Sequence, residues 1–152
     1  MTAAVLIIFF FSGKSEQAPA AASGDQLFFS LKIEMGEHLI ARPNLLGESG
    51  RRLTLRLVDP EQPDRLNLAL KMLPQPSTDN SGYDIGFSIQ MPDLSPEPQD
   101  IALHMAHGED KRFLLTLGRV PIMITMTLLR VDSPEFEVWK ELVQRDAAEQ
   151  AT

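Results

Sequence analysis

His38, His104 and His107 are the residues best suited by type to metal binding or proton transfer. His104 and His107 share a face only on a helix, where residues three apart are neighbours. On a strand they point to opposite sides of the sheet. The alternation of Ile101, Leu103 and Met105 predicts a strand, which exposes His104 and prevents the pair from chelating. Met105, Met123 and Met126 carry the thioether chemistry of a Cu(I) site. Parity separates them, because Met126 belongs to an inward series and Met123 faces the other way. They read as flexible core filling. Cysteine is absent, which removes thiolate ligands, thiol nucleophiles and disulfides together.

Hydrolysis by serine needs a nucleophile, a base and an oxyanion site. The serines fall mainly in turns, no G-x-S-x-G occurs, and Ser88 has no histidine near it in sequence. The acids Glu34, Glu37, Glu48, Glu109 and Asp110 occupy turns or outward strand positions, where carboxylates are normally solvated. No glycine-rich phosphate loop is present. The reading is a chain that is not an enzyme, with no catalytic, cofactor-binding or metal residue assigned and no cofactor expected. The formal net charge of −7 argues against a nucleic-acid partner, whose phosphates attract basic surfaces. It also disfavours anionic lipid headgroups.

The elements that position these residues are strands. Ala3 to Phe11 is an unbroken apolar run, too short for a spanning helix of roughly 20 residues and the right length for the apolar region of a signal peptide. A small-residue stretch, Ala18 to Gly24, follows, with A-x-A patterns ending at Ala20 and Ala22. No Lys or Arg precedes the run. Residues 1–24 are therefore expected to be a signal peptide and linker, and the competing reading is a buried N-terminal strand. The location implied is periplasmic or secreted, with no stable membrane anchor after cleavage.

From residue 25 the dominant period is two, the mark of half-buried strands. Phe29, Leu31, Ile33 and Met35 share one face, and Gly36-Glu37 reads as a turn. Leu39 to Leu45 is an irregular second strand, broken by Pro43, which cannot donate to a ladder. Leu53, Leu55 and Leu57, then Leu66, Leu68, Leu70 and Met72, define the third and fourth. A polar connector, Pro74 to Ser81, leads to four more: Tyr83 to Met91, Ile101 to Met105, Phe113 to Leu117, and Ile122 to Leu128. The strands predict an all-β fold, an eight-stranded antiparallel β-sandwich or small barrel over residues 25–131.

The two halves are alike. Leu31 to Met35 matches Phe87 to Met91, and Leu66 to Met72 matches Ile122 to Leu128, at the same offset. Arg52 to Leu57 matches Arg112 to Leu117 with a loop correction. Two similar four-strand units in one pseudo-symmetric domain are expected, since either half alone is too small to bury much core. Asp132-Ser133-Pro134-Glu135 starts a short C-terminal helix over 132–145, with Phe136, Trp139, Leu142 and Val143 on one face. Residues 146–152 read as a flexible tail. Lys32, Arg52, Arg56 and Lys71 fall on outward faces of the first-half strands, where charge keeps edges soluble.

The segment Leu39-Ile40-Ala41-Arg42-Pro43-Asn44-Leu45-Leu46, followed by a glycine turn and alternating Arg52 to Leu57, resembles the strand-turn-strand motif of secretin-type envelope proteins. The resemblance covers residues 38–57 and implies a periplasmic β-module without the secretin channel. Together these readings predict a non-catalytic exported β-sandwich that binds or regulates another cell-envelope protein. The alternative is a carrier holding a hydrophobic small molecule in a β-barrel cavity.

Overall fold

In the computed structural model, residues 9–11 and 24–150 are described. Apart from residues 9–11, the expected signal peptide and linker up to residue 23 lie outside them. The elements are β1 (Phe9–Phe11), β2 (Gln26–Met35), β3 (His38–Ala41), β4 (Asn44–Glu48), β5 (Leu53–Val58) and β6 (Leu66–Pro76). They continue with β7 (Tyr83–Gln90), β8 (Gln99–Met105), β9 (Asp110–Leu117), β10 (Val120–Arg130) and α1 (Pro134–Gln150).

The eight expected strands are β2, the joined pair β3 and β4, and β5 to β10. Pro43 explains the division of the second strand: it has no N–H, but its carbonyl still accepts from Leu31 N at 2.9 Å. A register irregularity in the β2–β3 pairing absorbs the kink. Gly36, with φ of 61°, takes the left-handed first position of the two-residue turn between Met35 and His38. Gly118, with φ of 62°, does the same between β9 and β10.

The strands form two sheets. Sheet A has the order β1-β4-β2-β10-β9, with β3 also on β2; sheet B has the order β5-β6-β7-β8. The path from β2 to β10 is a meander whose last strand pairs back on its first, as in an up-and-down barrel. No ladder joins β4 to β5 or β8 to β9, so the ring is split at two seams and flattens into a sandwich. Sheet order also carries the duplication: exchanging β4-β2-β10-β9 with β8-β7-β6-β5 maps one sheet onto the other. The match is offset in register. Ile33 faces Ile124, whereas Ile89 faces Leu70 and not Leu68, a two-residue slip that preserves parity.

The inward series meet in one continuous core. Phe29, Leu31 and Ile33 of β2 and Ile122, Ile124, Met126 and Leu128 of β10 lie against Leu53, Leu55, Leu68, Leu70 and Phe87 of sheet B. β6 runs further than its sequence implied, through Pro74 and Pro76, so the connector shrinks to residues 77–82. Pairing with β5 ends at Met72, so the missing N–H of Pro74 breaks no ladder on that side.

Helix α1 covers part of the outer face of sheet A. Ser133 caps it, its Oγ accepting from Phe136 N at 3.2 Å, and Glu135 and Glu137 sit in the first turn. Phe136 and Trp139 pack on Phe28, with ring centroids 5.2 and 4.1 Å away. Their cover buries Phe28, which strand parity alone would place in solvent. Two expectations change here. Leu142 is 52% exposed and takes no part in that contact, which Phe136 and Trp139 make. The helix runs to Gln150, past the expected end at Arg145, since Asp146 to Gln150 contains no Gly or Pro to stop it.

Candidate functional site

The residues singled out by type separate in space. Met105 and Met126 are fully buried in the core, and Met123 is half-buried on the outer face of sheet A. His38 is exposed beside the β2–β3 turn. Glu34 pairs with Lys32 at 3.5 Å, and Glu48 with Arg51 at 3.3 Å. Glu109 accepts from Ala106 N, Asp110 accepts from Thr127 Oγ1, and Glu37 is exposed. His104 and His107 take different partners, Asp84 and Glu135. Among the described residues no group of three or more His, Asp or Glu is placed to hold a metal.

The β7–β8 ladder creates a convergence that linear sequence hides. Asp84 faces His104 across the hairpin, and Asp84 Oδ1 lies 2.9 Å from His104 Nδ1. His104 Nε2 lies 3.2 Å from Ser81 Oγ. The order acid, imidazole, hydroxyl is that of a hydrolytic triad. Two features give it another chemistry. Ser81 Oγ donates to Asp79 Oδ1 at 2.6 Å, so its one proton is not offered to the imidazole. His104 and Asp84 side chains are also 45% and 63% exposed, outside any water-excluding cleft.

His104 thus lies between Asp84 and Ser77 at Nδ1 and Ser81 at Nε2. Ser77 Oγ donates to Asp84 from below at 3.2 Å. Ser81 N also donates to Asp79, and that hydroxyl and amide hold the Asp79 carboxyl below its usual range. The group staples the β6–β7 turn, where Asn80 has φ of 60°, onto β8.

Two further polar groups close the same end of the sandwich. The buried Tyr83 hydroxyl donates to Asp25 Oδ2 at 2.5 Å and accepts from Arg130 Nε at 3.3 Å. Burial, with the Asp25 carboxylate as acceptor, pushes the Tyr83 phenol above its usual range. His107 Nδ1 accepts from Arg130 N at 3.0 Å, so its proton sits on Nε2 and points at Glu135, 3.2 Å away. The helix's first-turn amide at Glu135 and the His107 contact lower the Glu135 carboxyl.

The outer face of sheet B holds a shallow concave feature. A depression of about 450 Å³ is lined by Arg52, Lys71, Leu73, Gly86, Ser88 and Asp100, among others. The ladders align Thr54, Lys71, Ser88 and Asp100 in one row across the four strands. Leu73, Gly86 and Ala102 form the adjacent row. Gly86 has open space where a side chain would stand, so the floor is bare backbone. Arg52, Arg56 and Lys71 are exposed, as the alternation predicted. Neither they nor Asp100 enter any ion pair among the described residues. The alternation marks each of these side chains as outward, but the depression depends on strand register and on Pro98 at its rim. Comparison with protein-family models, curated proteins and solved structures returned no match.

Proposed function

We propose that the chain is a non-catalytic, exported β-sandwich module that binds another protein of the cell envelope through the outer face of sheet B. One observation supports the reading: among the described residues the apolar side chains gather in one core between the sheets, while a concave, charged feature lies outside it. Export rests on the apolar run and the small-residue stretch before residue 25, and the location is periplasmic or secreted. The meander order favours a second reading, carriage of a hydrophobic small molecule, because up-and-down barrels can hold one. Leu, Ile, Phe and Met from both sheets occupy the space such a ligand would need.

Affinity capture from the native envelope tests the reading, paired with mass spectrometry of the recovered chain. A specific envelope partner and loss of the residues before about Gly24 are expected, the latter from the length of a signal peptide. Recovery of the chain with its N-terminus intact and no protein partner contradicts it.

A further inference from the structure

The row across sheet B changes sign along its length. Lys71 stands on β6 and Asp100 on β8, with Ser88 between, and Arg52, two residues before Thr54 of the row, adds a second cation beside Lys71. With neighbouring strands about 4.8 Å apart and about 3.4 Å per residue along a strand, Lys71 and Asp100 are about 10 Å apart at the backbone, and Arg52, two residues from the row at Thr54, is about 16 Å from Asp100. Gly86 leaves the floor open, and half-buried Leu73 supplies an apolar wall.

We propose that this depression binds an extended polypeptide segment carrying an acidic and a basic side chain four positions apart, with a small apolar side chain midway. The inference rests on the partner-binding reading and names the chemistry of the segment bound. Residues four apart in an extended chain lie on one face and span about 13 Å, which falls between the Lys71–Asp100 and Arg52–Asp100 separations and within reach of these long side chains. The segment lies across the strands, its carboxylate toward Arg52 and Lys71 and its cation toward Asp100. The apolar side chain between them rests on Leu73 over Gly86. A uniformly anionic partner, such as nucleic acid, an acidic polysaccharide or an anionic bilayer, brings negative charge onto Asp100 and loses there what it gains at Arg52 and Lys71. Opposed charges on the depression thus select a polypeptide that bears both signs.

Fluorescence anisotropy at low salt tests this with the full chain and three short, end-blocked, labelled peptides. One carries Glu and Lys four positions apart around Val; the second carries Glu at both places and the third Lys at both. The Glu/Lys peptide is expected to bind about tenfold more tightly than either control. Asp100→Lys should move the preference to the Glu/Glu peptide, and Arg52→Glu with Lys71→Glu should move it to Lys/Lys. Gly86→Val, which fills open space, should weaken binding without lowering the melting temperature. Equal binding of all three peptides, absence of binding up to about millimolar concentration, or preferences unmoved by the charge swaps overturns the proposal. Envelope capture separates the two levels. A partner retained equally by the wild type and Asp100→Lys overturns this site and leaves the partner-binding reading standing, whereas no partner on either removes that reading itself.

Discussion

Tyr83 is a buried phenol tied to one carboxylate and one guanidinium, and its environment makes a prediction with a definite sign. Its pKa is raised in the folded chain, so its contribution to stability is complete below the ordinary tyrosine value near 10. That contribution is lost as pH rises through the folded value. Thermal melts of the wild type should fall above about pH 10 more steeply than those of Tyr83→Phe. At neutral pH the variant should lose about 1 kcal/mol, the net worth of a hydrogen bond. Identical alkaline profiles would show that the Asp25–Tyr83–Arg130 contact carries no linkage. Asp79 and Glu135 act at the other end of the scale. Both are lowered on folding, so their contribution is present above the ordinary carboxylate range and is lost as pH falls through the folded values. These pairings were illegible in the linear order: Asp84 and His104 meet through strand register, and Asp25 and Tyr83 through the packing of one sheet on the other.

The elements themselves were legible wherever period two ran uninterrupted. Leu66 to Met72 and Ile122 to Leu128 read as strands because each alternate side chain is apolar, and all of these but the half-buried Leu66 lie in the core. The rule failed at Phe28. Its parity is outward, but α1 lies over it, and no pattern within β2 reports a helix more than a hundred positions later. Leu142 failed in the opposite sense, because helical periodicity gives a face and not the extent of the surface beneath it. The contact yields its own prediction. Phe28→Ala should cost about 3 kcal/mol or more, as removal of a buried aromatic does, while Leu142→Ala should change stability by less than about 0.5 kcal/mol. Denaturant melts distinguish them, and equal losses would contradict the placement of α1. Ser133→Ala should cost about 1 kcal/mol through loss of the helix cap.

At the scale of the molecule, one meander is folded into two sheets by the seams at β4–β5 and β8–β9. The sequence left sandwich and barrel open because alternation specifies faces and not which edges pair. The seams follow from turns at Ser49–Gly50 and around Gly108, where the chain leaves one sheet for the other. Leu68→Asp or Ile124→Asp should unfold the whole domain, since each places an unpaired charge at a fully buried position shared by both sheets. An unchanged melting temperature for either would refute the common core. The apolar side chains of both sheets meet in that core, and the proposed interaction surface lies outside it, where the depression on sheet B joins residues of β6, β7 and β8 with Arg52 at the start of β5. The most direct measurement is site-specific photo-crosslinking in the native host, with a photoreactive side chain at Ser88 on sheet B or at Leu114, 59% exposed on the outer face of sheet A. A discrete adduct with an envelope protein from Ser88 and none from Leu114 is the predicted result; no adduct from Ser88, or the same adducts from both positions, would contradict a partner site on sheet B.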